Sequence, residues 1–274
     1  MHSPVLLNEA IEGLKVISGG LYIDATAGEG GHLKKILGKG GRVLGIDLDE
    51  DQINENREKI KSEKLTLVVG NFADIEKIAK SQGFSQVDGI LFDLGLSYSQ
   101  LSFLGRGFSY RRNEEPLDMR LSLRGEIRAA DLVNSLSEDE LYVVLAKNAE
   151  EINSRAIAHA IVSARRLRKI KTVGELLGLI DGVVGGQDEK VYARVFQALR
   201  MEVNEERSNL KKGLKGAMNL IKNEGRLVTI TFHSVEDRMV KKFFIENKLK
   251  QIKKLKGNKT SRYERSATLR VMQK

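Results

Sequence analysis

The sequence predicts an α/β fold, a doubly wound and largely parallel sheet interrupted by a helical insertion. Three observations lead there. Short apolar, β-branched runs alternate with helix-like spacing four times before residue 94. The alternation then stops over residues 117–194, and a fifth strand-like run follows near residue 225.

The first strand is GGLYIDATAG, and HLKKILGKG after it has helical spacing closed by glycines. GRVLGIDLD is the second strand, followed by the polar helix DQINENREKIKS. LTLVVGNF is the third, followed by a helix around Ile75 to Gln82, and VDGILFDLG is the fourth. Its centre is too apolar to be half exposed, as expected of a parallel strand covered on both faces. From about Leu117 to Arg194 no comparable strand appears. AADLVNSLSEDELYVVLAKN and EEINSRAIAHAIVSARRLRKI carry apolar residues at helical spacing, with Ser137 and Glu140 placed as a capping box. Ser208–Ile221 reads as a helix and GRLVTITFHS, Gly225–Ser234, as a returning strand. The expected organisation is residues 1–116 as the first part of the α/β domain and 117–194 as an inserted helical substrate-recognition domain. Residues 195–274 complete the α/β domain and end in a basic segment.

Composition removes several chemistries. The 274 residues contain no cysteine, which excludes disulfides, a thiolate nucleophile, cysteine-ligated zinc and iron–sulfur clusters. The four histidines, His2, His32, His159 and His233, are far apart and form no HExxH-type pair, so no metal is expected. No apolar run reaches the roughly 18 residues of a membrane helix. The N-terminus lacks the basic and apolar regions of a signal peptide, so a cytoplasmic protein is expected. The oligomeric state is open, a homodimer included. Formal net charge is +9, and its position matters more than its size. From Asn247 onward there are ten Lys/Arg against the single acid Glu264, so the first 246 residues are neutral overall. Ser154 to Lys171 holds six further Lys/Arg and no acid. Positive charge so concentrated attracts polyanions, and a solvated helix face with a ragged tail is the alternative.

The candidate chemistry lies at strand ends. DATAGEGGH, Asp24 to His32, is a glycine-rich turn into a helix N-terminus, where free N–H groups and the helix dipole meet a ligand. A dinucleotide fingerprint would read G-x-G-x-x-G, and Gly28-Glu29-Gly30-Gly31-His32-Leu33 departs from it. Asp47 ends the second strand, where a carboxylate can accept both hydroxyls of a ribose. Asp49 beside it reads as a helix N-cap. Phe72 at the third strand's tip can stack on adenine or fill core. These strand ends describe an adenosine-bearing ligand, and the glycine pattern favours S-adenosylmethionine over a dinucleotide. Asp93 ends the fourth strand; it can face the sulfonium, accept a proton from the methyl-accepting atom, or cap the next loop. With no cysteine to add to C6, pyrimidine C5 methylation is disfavoured and an exocyclic amine is the better acceptor. Asp93, Gln100 and His233 are then the polar candidates for its N–H.

HSPVLLNEAI, DATAGEGGH, GIDLD, GNF, VDGILFDLGLS, RGFSY, PLDMRL, FQALRMEVN, TFHSVEDRMVKKF and ERSATLRV follow one another along the chain. In this series the chain closely resembles the bacterial 16S ribosomal RNA cytosine-N4 methyltransferases, the RsmH or MraW family. The resemblance implies a class I, Rossmann-like methyltransferase fold with a helical substrate domain inserted. It implies methyl transfer from S-adenosylmethionine to N4 of one decoding-centre cytidine, position 1402 in the usual rRNA numbering, with 16S rRNA of the small subunit as partner. Family cofactor positions fall on Gly30, Gly31, His32, Asp47, Phe72, Asp93 and Gln100. The chain departs from the family at Ser97-Tyr98-Ser99-Gln100, where S-S-P-Q is usual, and at Lys190-Val191-Tyr192-Ala193, where H-P-A-T is usual. Lys147 to Glu151 replaces a Y-G-E-E segment. For RNA, Arg106 in RGFSY and Arg120 in PLDMR are candidates to hold the substrate, with ion pairing as their alternative role. Arg165, Arg166 and the Lys248–Lys259 run are candidates for phosphate contacts. His233 and Asp237 can approach the base or cap the helix starting near Val235. Met119 and Met201 read as packing residues.

Overall fold

A computed structural model describes residues 4–96, 105–123, 125–258 and 265–274. Gln100, with the altered loop around it, lies outside the described residues, as does Lys259 at the end of the basic run. The chain forms two compact units, Met1–Ser97 with Arg207–Lys274, and Tyr98–Glu206. The second unit thus spans more of the chain than the 117–194 insertion expected from the sequence.

In the first unit, β1 (Leu21–Asp24), β2 (Arg42–Asp47), β3 (Leu65–Val69), β4 (Val87–Asp93), β5 (Ile221–Thr231), β6 (Lys250–Lys256) and β7 (Thr268–Gln273) form one sheet. Its spatial order is β3-β2-β1-β4-β5-β7-β6. Strands β1 to β5 pair parallel with one another, and β7 runs antiparallel to both β5 and β6. Alternating side chains feed two cores, one on each face. Ile23, Leu44, Ile90 and Phe92 point to the face covered by α4 (Ile75–Ser81), α10 (Glu206–Leu220) and α11 (Ser234–Glu246). Tyr22, Val43, Leu91 and Val228 point to the face covered by α1 (Leu7–Leu14), α2 (Gly31–Gly38) and α3 (Glu50–Lys59). Covering both faces accounts for the near-continuous apolarity of β4. Asp49 caps α3 as the sequence suggests, its carboxylate accepting from the N–H groups of Asp51 and Gln52.

The second unit holds α5 (Ala129–Ser135), α6 (Glu138–Ala149), α7 (Ser154–Arg165), α8 (Val173–Val184) and α9 (Glu189–Val203). Their apolar faces bury Val133, Leu141, Leu145, Ile161, Ile180, Val195 and Leu199. The stretch read as one helical segment is two helices, because Leu136 turns extended (ψ 145°) and the Ser137–Glu140 capping box starts α6. Tyr192, where the family's H-P-A-T is replaced, is buried and donates to Asp181. Glu151, ending the replaced Y-G-E-E segment, is buried and paired with Arg194 at 2.6 Å.

Two expectations are refined at the sheet's far edge. Strand β5 starts at Ile221, not Gly225, but its register breaks between the Val87 and Gly89 pairings and runs regularly only from Arg226. The C-terminal basic segment supplies two strands of the sheet rather than a ragged tail. Among the described residues no helix is long and apolar enough to cross a membrane.

Candidate active site

The carboxyl ends of β1, β2, β3 and β4 lie side by side, and at or just past those of β2, β3 and β4 are Asp47, Phe72 and Asp93, each singled out in the sequence. Asp24 ends β1 and is fully buried. Its Oδ1 accepts from Thr26 N–H at 3.3 Å, while Oδ2 has no partner among the described residues. Burial pushes the Asp24 carboxyl well above the usual range, and the charges of Asp93 and Asp47 push the same way. Asp47 ends β2. Its Oδ2 accepts from Gly28 N–H at 2.7 Å and its Oδ1 from Asp49 N–H at 2.9 Å, so it shapes the glycine turn from below. Burial raises its pKa despite these bonds.

The turn tolerates only glycine at two places. Gly30 is the N-cap of α2 at φ 79°, and a Cβ there would stand 2.4 Å from Asn56 Oδ1. At Gly31 a Cβ would stand 2.1 Å from Pro4 Cγ. Asn56 in turn donates to Gly28 O at 2.7 Å, fixing the turn against α3.

His32 follows in the first turn of α2, and burial holds its imidazole down to about 4. It is therefore neutral at pH 7. Its Nδ1 lies 4.0 Å from Asp93 Oδ2, and its Nε2 is buried without a partner among the described residues. Asp93 ends β4, tied down where its N–H donates to Thr26 Oγ1 at 2.7 Å. Its Oδ1 accepts from Gly95 N–H at 3.3 Å, leaving Oδ2 without a hydrogen bond among the described residues. Burial pushes the Asp93 carboxyl up to about 7, and the nearby Glu236 charge adds to this. Phe72, just past β3, opens a short 3-10 turn capped by Asn71. Its ring meets Phe92 edge-on at 5.7 Å and packs on Gly213, with part of the residue left accessible.

Whether this edge suits S-adenosylmethionine can be judged from the groups themselves. Asp24, Asp47 and Asp93 have no lysine or arginine partner among the described residues. All three have raised pKa values, so each ionised form needs a cation. A ligand carrying an ammonium and a sulfonium provides one. A dinucleotide's pyrophosphate would meet three carboxylates and be repelled.

The remaining candidates divide differently. Arg120 is committed to Asp118 through two 2.7 Å bonds and donates to Gly125 O, while Arg106 donates to Arg120 O at 3.1 Å. The ion-pair alternative therefore describes Arg120. Arg165 donates to Val133 O, and Arg166 is exposed at the end of α7. His233 is the N-cap of α11, its Nδ1 accepting from Glu236 N–H at 3.4 Å. Its Nε2 lies 3.0 Å from Glu236 Oε1 without hydrogen-bond alignment. Asp237 is held by Arg270 at 2.8 and 2.9 Å. Met119 and Met201 are buried. Sequence reasoning passed over Asn56, Glu236 and the lone Oδ2 of Asp24. Asp24 ended an apolar strand just as Asp93 did, and that signal was available.

The whole chain, residues 1–274, matches the model of the MraW methylase family. Among its relatives is ribosomal RNA small subunit methyltransferase H of Dehalococcoides mccartyi, 45% identical over 250 residues, which are 89% of this chain and 70% of that protein. The protein of the same name from Bacteroides thetaiotaomicron is 43% identical over 88% of this chain and 79% of its own length. That of Carboxydothermus hydrogenoformans is 43% identical, covering 89% and 80%. With a glycine turn and three carboxylates at the strand ends, Asp24 buried and Asp47 and Asp93 half-buried, and a family match along its full length, the chain belongs to the MraW methylase family.

Proposed function

We propose that the chain transfers a methyl group from S-adenosylmethionine to the exocyclic N4 of a decoding-centre cytidine in 16S rRNA, position 1402 in the usual numbering, within the small ribosomal subunit. The observation that carries this is Asp93, a carboxylate poised near neutrality at a strand tip, with Oδ2 free of hydrogen bonds among the described residues, and beside it buried Asp24, whose Oδ2 also has no partner among them. S-adenosylmethionine supplies an electrophilic methyl group on a sulfonium. Asp47 offers its remaining lone pairs to the ribose hydroxyls, and Gly30 and Gly31 bring backbone close at the α2 N-terminus. Asp24 and Asp93 balance positive charge, and Phe72 flanks the adenine.

Asp93 then serves the acceptor. Oδ2 takes a hydrogen bond from the N4 amine, which fixes the nitrogen lone pair toward the methyl group. As N4 gains the methyl group it sheds one proton, and a carboxylate of pKa about 7 can receive it and release it to solvent. Neutral His32 keeps a second positive charge away from the site. No covalent enzyme intermediate is needed, in keeping with a chain that has no cysteine.

The test uses 30S subunits lacking the modification, labelled S-adenosylmethionine, and wild type beside Asp93→Ala, with the rRNA digested and its nucleosides identified by mass. N4-methylcytidine at the site, made by wild type and lost in the variant, is the expected result. Cofactor binding without transfer would assign the fold a different acceptor.

A further inference from the structure

The chain's entire formal net charge of +9 resides in its last 28 residues, and the structure builds Lys250–Lys256 and Thr268–Gln273 of that segment into the sheet. Strand β6 is the outermost strand and carries Lys250, Lys253, Lys254 and Lys256 with no acid. Register assigns each lysine to a face. Lys253 pairs with Val271, on the α1 side, and there it donates to Glu12 at 2.9 Å. Lys254 pairs with Arg270 and Lys256 with Thr268, both on the α11 side. Arg270 is almost fully buried, and its guanidinium is consumed by Asp237 of α11 and by Gln251. The side chain of Lys256 leans on Thr268 Oγ1 at 2.8 Å.

Asp237 is the only acid among the described residues that these ties bring to this side of the edge. Burial would raise its pKa, but Arg270, Lys254 and Lys256 together hold it low. It is an ionised carboxylate already spent on Arg270. Lys254 and Lys256 are exposed and make no ion pair among the described residues, and neither does exposed Lys241, one turn beyond Asp237 on α11. Lysines on an edge strand commonly block sheet-to-sheet association. Here, though, cations alternate around a rigid Arg270–Asp237 tie and leave a one-signed ridge on one face.

We propose that this ridge, Lys254 and Lys256 of β6 with Lys241 of α11, is the first unit's docking track for the RNA sugar–phosphate backbone; the proposal rests on the 16S rRNA reading above. Strand geometry places Lys254 and Lys256 about 6.7 Å apart on one face, close enough to serve neighbouring phosphates of one strand. Because β6 is clamped through Gln251 and Arg270, the cations are positioned before RNA arrives. Base identity is not read here, since phosphate contacts position and base contacts specify.

The experiment measures binding of unmodified 16S rRNA transcript by the full chain across a salt series, for wild type, Lys254→Gln/Lys256→Gln and Lys253→Gln. Each lost phosphate contact removes roughly 0.7–0.9 from the log–log salt slope. The double variant is expected to have a slope shallower by about 1.4–1.8, with S-adenosylmethionine affinity and melting temperature at wild-type values. Lys253→Gln, which removes the same kind of charge from the opposite face, is expected to keep the wild-type slope. An unchanged slope in the double variant, with or without new self-association, would overturn the ridge and leave edge protection as its role. An equal loss in Lys253→Gln would overturn it in favour of bulk charge. If wild type methylates the rRNA while the double variant binds it unaltered, the ridge alone fails; if wild type takes up 16S rRNA neither as transcript nor in 30S subunits, both readings fail.

Discussion

Asp93 shows how much of the chemistry a single side chain can carry. Its carboxyl is pushed up to about 7 from an unfolded value near 3.8. A raised carboxylate pKa means the folded state holds the proton more tightly than the unfolded state. The ligand-free chain therefore loses stability as pH rises from about 4 to about 7. Asp24, also raised, adds to the same trend. Melting temperature against pH is expected to fall across that window, and S-adenosylmethionine is expected to flatten the fall by supplying the missing positive charge. Asp24→Asn keeps the shape and removes the charge. It is expected to raise the melting temperature of the ligand-free chain at pH 8 while weakening S-adenosylmethionine binding tenfold or more, about 1.4 kcal/mol, by calorimetry. A melting temperature unchanged by the substitution would mean that folding does not raise the Asp24 pKa. Asp93 and Asp47 were legible in the sequence because a carboxylate at the tip of an apolar strand has few structural uses. The lone Oδ2 of Asp24 was not, since only three-dimensional packing shows which carboxylate oxygen finds a donor.

At the scale of elements, local rules served well wherever the deciding contact was near in sequence. The Asp49 cap of α3 and the Ser137–Glu140 box of α6 needed only residues three apart. Ser137→Ala is expected to cost about 1 kcal/mol, read from denaturant unfolding of the chain. The glycine turn was legible as a turn, but its reason was not. Gly30→Ala is expected to cost roughly 1–3 kcal/mol, because the residue sits at φ 79° and its Cβ would displace the Asn56 amide that holds Gly28. A loss below 0.5 kcal/mol would show that the turn relaxes. His233 illustrates a residue whose two sequence readings could not be separated by spacing. In the structure it caps α11, and its partner Glu236 lies one turn into the helix.

For the whole molecule, the four early strands and their order of appearance were read correctly because βαβ units repeat a pattern of period and length. Whether the C-terminal segment is a ragged tail or a built surface stayed open in the sequence for an equally physical reason. Strand β6 is mostly lysine, and edge strands exposed to solvent lack the alternating apolar signature. Its partner β7 does show burial at Leu269, Val271 and Met272. A chain ending at Glu246 would expose β5 as a bare edge and strip those three residues from the two cores. It is expected to accumulate insolubly, whereas removal of a true tail would leave a soluble, cofactor-binding protein; soluble yield and near-ultraviolet circular dichroism distinguish them.

The position of β7 between β5 and β6 has a consequence for the order in which the molecule comes into being. The last of these seven strands to be synthesised is an interior one, and β4 pairs with β5 across the whole intervening unit, Gly89 with Arg226. Helices of residues 129–203 belong to one compact unit and can assemble as it emerges. The sheet cannot close until residue 273 is available to face Arg226. During translation the β1–β4 half therefore waits with the flank of β4 uncovered. A pause or a chaperone acting between residues 93 and 226 would govern yield more than one acting anywhere earlier.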